Sequence, residues 1–297
     1  MAANRLLSRA VFAASLAICS LSSGAVIAQR EDARDPRQPN LEDILLRAAG
    51  FVRETAETQA SAVIADEVYE QEVRSRPFGV NSQRLMRRTI RSEALFIWLA
   101  VERQWVFVRN VLSVDGRSVA DNGARLDQLL GESSLDISSR VRQLQQESSR
   151  FNIGPFTRTF GDPTFALRFV DRESQSRFTF KRGDIEQVEG VGAIKLAFDE
   201  RARPTIVQAN GTDAPTSGTI WVEPIMGTVA RTHMKLTTSL RTDASVTTEF
   251  QKDMNLQAWV PVRMSERYQE RGGQTIICSA SYMNYRRFGA TVRVSSP

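Results

Sequence analysis

The chain has 297 residues, with 39 basic and 34 acidic side chains, one histidine and two cysteines. A single histidine excludes zinc sites built from several imidazoles and leaves a serine-hydrolase triad only one residue to use as base. The formal charge of +5 is spread along the chain, with no basic stripe, zinc spacing or aromatic ribonucleoprotein motif, so nucleic-acid binding is not indicated.

In chain order, Arg5 and Arg9 precede an uncharged run from Ala10 to Ala28 that closes on Val26-Ile27-Ala28. This reads as a signal peptide (residues 1–28) cleaved after Ala28, which implies a periplasmic or secreted protein. Serines and Gly24 make the run poorly apolar for a spanning helix. Cys19 follows Ile18 rather than a small residue, which argues against a lipoprotein signal. Cleavage lowers the net charge to +3 and leaves Cys278 without a partner for an internal disulfide.

Residues 29–39, rich in charge and proline, read as a flexible linker. Asn40 caps a helix with Leu41, Ile44, Leu45, Ala48, Phe51 and Val52 on one face. The extended segment "AVIADEVYEQEV" follows, ended by Pro77 and Gly79. Its carboxylates Asp66, Glu67, Glu70 and Glu72 read as the wet side of an edge strand, and the competing reading is a carboxylate-dependent hydrolase. "RTIRSEALFIWLA" is apolar on both faces, as in a strand covered on both sides. "WVFVRNVLSVDGRSV" continues the sheet, with a turn at Asp115-Gly116.

The middle is helical, with "ARLDQLL" and then "DISSRVRQLQQESSR", whose sparse stripe is Ile137, Val141 and Leu144. The apolar piece Phe165 to Val170 is open to helix or strand. From Arg177 on, short alternating strands separated by turn segments run to the end. The predicted fold class is mainly β with α (α+β), a single curved antiparallel sheet or half-barrel over residues 40–297. The N-terminal helix and a helical insert at about 125–170 are expected to cover its concave face.

In "GTIWVEPIMGTVARTHMKL", Pro224 to Gly227 makes a tight turn. The return strand places Ala230, Met234 and Leu236 on one face, and Val229, Arg231, His233 and Lys235 on the other. His233 has neither an orienting carboxylate nor fellow metal ligands nearby and reads as a solvated strand residue. Cys278 reads as a buried packing residue. "GVGAIK" leads into a strand and so is not a dinucleotide loop. No GxSxG or Walker motif occurs. "NGT" at Asn210 reads as a plain turn.

No catalytic, cofactor-binding or metal-ligating residue is therefore expected. The candidate cavity lining is Leu95, Ile97, Leu99, Ile194, Leu196, Phe198, Ile220, Val222, Met234, Leu236, Val260, Val262 and Met264. A cavity for an acyl chain and a fully filled core are both compatible with these faces.

Ile220 to Arg231 has the form I/V-W-V-E/D-P-x-x-G-x-V-x-R, and the closing strand ends in "YMNYRRF" (Tyr282–Phe288). With the signal peptide, the first helix and the helical insert, these features resemble the bacterial periplasmic lipoprotein-carrier superfamily, which includes the LolA and LolB carriers and the envelope-stress sensor RseB. The resemblance implies an unclosed half-barrel that binds lipid acyl chains without catalysis or cofactor. The partners it admits are a hydrophobic ligand, a lipidated protein, a membrane surface or, in an interaction or stress-sensor module, another protein's peptide.

Overall fold

The computed structural model describes residues 39–58, 62–75, 83–99, 104–120, 137–154, 158, 161–209, 211–237, 242–270 and 273–287. The expected signal peptide, residues 29–38 of the linker, the helix at "ARLDQLL", the Pro77–Gly79 break and Asn210 lie outside them.

Asn40 caps α1 (Leu41–Thr58), its side-chain oxygen accepting the Asp43 N–H at 2.8 Å. Ile44, Ala48, Val52 and Ala56 recur along one side of the helix and are buried. The strands are β1 (Val63–Ser75), β2 (Gln83–Leu99), β3 (Gln104–Val114), β4 (Arg117–Ser118), β5 (Phe178–Val188), β6 (Val191–Glu200), β7 (Gln208–Ala209) and β8 (Thr212–Asp213). They continue with β9 (Thr216–Val222), β10 (Val229–Thr237), β11 (Thr242–Asp253), β12 (Ala258–Glu270) and β13 (Thr275–Arg287). Between β4 and β5 lie α2 (Ile137–Ser149) and a short 3-10 turn, Phe165–Phe169, which settles the apolar piece left open by periodicity.

Eleven strands form one sheet in the order β4-β3-β2-β1-β13-β12-β11-β10-β9-β6-β5, and β7–β8 is a separate hairpin. Every pairing is antiparallel, and β4 and β5 do not pair with each other, so the sheet is open. β13 returns to pair with β1, which makes β1 an interior strand. The wet-edge reading of its carboxylates is therefore corrected: Glu67 is only 1% exposed.

The two faces of the sheet differ. Ile194, Leu196, Phe198, Ile220, Val222, Met234, Leu236, Val260 and Met264 all join the main core with α1, on what is here the inner face. Leu95 and Ile97 do not. They pack with Ile64, Val106, Val108 and the α2 residues Val141 and Leu144 on the outer face, while Phe96 and Phe107 between them point inward. α2 thus differs from the expected concave-face cover. It lies along the free edge of β3, where Gln145 Nε2 donates to the Phe107 carbonyl at 2.9 Å and satisfies an edge acceptor. The tail of the insert does cross the inner face. Phe169 packs on Phe178 and Phe198 with ring centroids 4.9 and 5.2 Å away.

Two bulges break the period of two. Val229 pairs with Val222 and Arg231 with Trp221, so Ala230 is the extra residue. Val229 consequently joins the main core and Ala230 the outer cluster with Val188 and Ala193, the reverse of the faces read from the sequence. In β12, Pro261 pairs with Phe250 and Arg263 with Glu249, leaving Val262 as the extra residue, half-buried. Leu99 closes β2.

Edge strand β5 is bulged between Arg182 and Ile185 and carries exposed Lys181 and Asp184, features that discourage pairing with another chain. Among the described residues no helix is long and apolar enough to cross a membrane.

The β9–β10 turn pins α1. Gly227 adopts φ 76°, and a Cβ there would lie 2.3 Å from the backbone of Arg47. Arg47 Nη1 in turn donates to the Pro224 carbonyl at 2.7 Å. Gly227→Ala is expected to destabilise the fold by at least about 2 kcal/mol in urea unfolding, through a left-handed backbone and a displaced helix. Gly50→Ala, inside α1 with nothing within 4 Å of its Cβ position, should stabilise it by about 0.5–1 kcal/mol.

Candidate functional site

The inner face is apolar under α1 and polar beside it. Alternation along β1 sends Glu67, Tyr69 and Gln71 inward, and alternation along β12 does the same for Glu266 and Tyr268. Such groups are tolerated inside only when paired.

Glu67 accepts from Arg109 Nε at 2.5 Å, Arg109 Nη2 at 2.7 Å and Ser92 Oγ at 2.5 Å. The Arg109 guanidinium also lies 4.1 Å over the Tyr69 ring. Burial works against the charged guanidinium, but Glu67 overrides it and holds the Arg109 pKa above the ordinary arginine value.

Gln71 fastens the chain after α2 to the sheet. Its Oε1 accepts from Ile153 N–H at 3.0 Å and from Arg158 Nη2, and its Nε2 donates to the Phe151 carbonyl at 3.2 Å. Arg158 is buried and its Nη1 donates to Cys278 Sγ at 2.7 Å. Burial pushes the Cys278 thiol up to about 12, with Glu266 adding to the effect. Glu266 Oε2 accepts from Tyr268 OH at 2.8 Å and Tyr69 OH at 3.2 Å.

Above this network is an open recess of about 360 Å³ between α2, β3 and residues Asn152, Arg158, Gly161 and Asp162. Its walls include Phe107, Arg109, Arg142, Gln145, Arg158 and Asp162. Burial pushes the Asp162 carboxyl up to about 6, against the pull of two hydrogen bonds from Thr164, N–H at 2.8 Å and Oγ1 at 2.6 Å. Asp162 is the one acid among the described lining residues, and the buried Glu266 Oε1 lies 3.8 Å from the point where a Cβ on Gly161 would sit.

On the apolar side the described residues enclose a small gap. A gap of about 10 Å³, lined among others by Val63, Phe96, Phe250, Val260 and Tyr285, is roughly the space of one water. Of the candidate lining residues only Val260 touches it. The rest of the inner set packs in the main core, and Leu95 and Ile97 lie on the other face. His233 is half-buried, its Nδ1 2.8 Å from Thr247 Oγ1, and burial and Lys235 lower its pKa. Among the described residues no group of three acidic, histidine or cysteine side chains could hold a metal ion.

Sequence reasoning missed Arg109, Arg158, Asp162 and Glu266. The one available signal was inward parity at Glu266, between the apolar Met264 and Tyr268. The arginines converge from β3 and from the segment after α2, and nothing local marks them.

No protein-family model matches the chain, and no curated protein matches it. Among solved structures it is similar to an outer-membrane lipoprotein-sorting protein domain from Vibrio parahaemolyticus, with TM-score 0.32, 8% identity and coverage of 83% of this chain and 94% of that one. It is also similar to a DUF1329 family protein from Desulfovibrio piger, with TM-score 0.28, 12% identity and coverage of 84% and 95%. A third similar structure is MucB in complex with MucA(peri), with TM-score 0.23, 11% identity and coverage of 84% and 100%. At such scores the description of the fold rests on the sheet's own register.

Two solution tests address the buried groups. The Asp162 carboxyl has a folded value of about 6 against an ordinary 3.8, so its contribution to stability is fully present below the ordinary value and is lost as pH rises through the folded one. Asp162→Asn, which keeps an acceptor for Thr164, should exceed the parent in stability above pH 6 by on the order of 1 kcal/mol. In acid, where both states of the parent are protonated, it should gain nothing. Cys278 is 1% exposed, and it should resist a thiol reagent in the native protein and react at once in denaturant. Rapid native labelling would contradict this account of the core.

Proposed function

We propose that the protein is an exported, non-enzymatic binding protein of the cell envelope that takes a hydrophobic ligand, an acyl chain or a lipidated partner, on the inner face of its open sheet. One observation carries the reading. The apolar inner face is closed by a helix with a small-residue contact face, not by a second sheet. α1 presents Ile44 and Val52 with Ala48, Ala49 and Ala56.

The helix and an acyl chain offer comparable burial to the inner face. Burying Ile44 and Val52 at about 1.5–3 kcal/mol each, with three alanines and the partly buried Leu41, Leu45 and Phe51, gives α1 on the order of 10 kcal/mol. An acyl chain of roughly 16 carbons at about 0.8 kcal/mol per CH₂ offers on the order of 12 kcal/mol to the same surface. The two are close, so the bonds that hold the helix end, Arg47 to the Pro224 carbonyl and Gln175 Nε2 to the Leu45 carbonyl at 2.9 Å, set how readily a ligand displaces it. With the helix seated the gap is about one water in size, so in this reading the cavity forms as the ligand enters.

A protein-interaction or stress-sensor module is the second reading. β10 and β11 pair antiparallel, so the β9–β10 and β11–β12 turns share one end of the sheet. That end exposes Met226 and Met254 by 73% and 70%. Flexible, polarisable methionines at turn tips suit adaptable contacts.

Native mass spectrometry of the mature protein from a periplasmic fraction, before and after solvent extraction, decides between these readings. Extra mass that leaves with solvent and matches phospholipid or fatty acid is the expected result. An apo mass that takes up neither added phosphatidylglycerol nor palmitate would overturn the lipid reading.

A further inference from the structure

The two most exposed large apolar side chains among the described residues are both methionines, Met226 and Met254, at the tips of neighbouring turns. The backbone of each turn is tied down from within. In the β9–β10 turn Glu223 accepts the Ile225 N–H at 3.0 Å and the Met226 N–H at 2.5 Å, and its carbonyl accepts from the Gly227 N–H at 2.9 Å. In the β11–β12 turn Asp253 accepts the Asn255 and Leu256 N–H groups at 2.9 and 2.8 Å. The Met254 carbonyl accepts from Gln257 Nε2 at 2.7 Å. What projects from each hydrogen-bonded turn is a flexible thioether. β10 pairs with β11, so the turns stand two strand spacings, about 10 Å, apart at one end of the sheet.

The other sulfur atoms of the described residues are less open to solvent. Met234 and Met264 are buried in the core, and Cys278 is sealed beneath Arg158. Met86 and Met283 are 52% and 45% exposed, each within a strand and opposite a paired residue, Val73 and Asp66. An oxidant thus meets no accessible thiol among the described residues, and oxidation of the thioethers follows their exposure. With a hydroperoxide, the sulfur lone pair attacks one peroxide oxygen and the O–O bond breaks. The second oxygen leaves as hydroxide, takes the proton of the new S–OH group and departs as water. Sulfur gives up two electrons, and the peroxide is reduced. A flexible apolar side chain becomes a polar sulfoxide.

We propose that Met226 and Met254 are a paired oxidation site, at which a hydroperoxide makes both turn tips polar while the fold stays intact. The fold survives because neither side chain belongs to the core and the bonds that shape both turns come from Glu223, Asp253 and Gln257. The modification removes apolar contact surface at the end of the sheet where Met226 and Met254 are concentrated. That this end makes contacts rests on the protein-interaction reading, whereas its oxidation rests on exposure alone. Either can fail without the other.

Peptide mapping by mass spectrometry during exposure to hydrogen peroxide tests the proposal, beside retention on a phenyl resin and far-ultraviolet circular dichroism. Met226 and Met254 should oxidise at least about tenfold faster than Met234 and Met264, and ahead of Met86 and Met283. Retention should fall as the two turns react, with the dichroism unchanged. The double variant Met226→Leu, Met254→Leu keeps the tips apolar without sulfur and should lose this early fall in retention. The double variant Met226→Gln, Met254→Gln should be less retained before any peroxide is added. The resin needs no partner, so failure of the interaction reading leaves these outcomes unaffected. Equal rates at all methionines, reaction of Met86 or Met283 ahead of the turns, or an early fall in retention that persists in the leucine variant would overturn the proposal. So would loss of the dichroism signal as the turns react.

Discussion

An open sheet has two faces and two free edges, and all four must be dealt with by something other than the sheet. That constraint organises this molecule. The inner face is closed by α1 and by the chain after α2, and the outer face of β2 and β3 by α2 itself. The free side of β3 is capped by the same helix, and the far edge is blunted by a bulge and by charge. A closed barrel would need none of these devices, and its interior would be fixed by strand number. An open sheet with separate covers has an interior set by how firmly the covers are held.

The covers are held by two different kinds of force. α1 is seated by an apolar stripe and by steric fit at Gly227. The segment after α2 is held by a buried polar clasp, in which Gln71 supplies an acceptor and a donor to backbone and arginine. Beside it, Glu67 and Arg109 form a buried pair. Removing one member of such a pair costs about 3–5 kcal/mol, because the other charge is stranded. One half of the inner face is therefore held by apolar contact, and the other by directional polar bonds.

Much of this was legible in the chain. The Asn40 cap, the stripe of α1, the turn at Gly227 and the alternation of β6, β9 and β12 are local patterns, and local patterns survive without tertiary information. The candidate site was hardly legible at all. Arg109 and Arg158 are distant in sequence and sit in unremarkable surroundings, and only the order of strands brings them to one recess.

The sequence by itself determined that the chain is strand-rich with an amphipathic first helix. Periodicity also told which residues of a strand share a face. Only the tertiary structure decided which face is which, because alternation is symmetric: Leu95 and Phe96 are equally apolar, and the helix that covers Leu95 comes from residues 137–149. It decided that Glu67 is buried, because β13 returns to make β1 an interior strand. It also decided where the period breaks, at Ala230 and Val262, because a bulge is one residue of slack taken up between neighbours and leaves no mark on the strand that carries it.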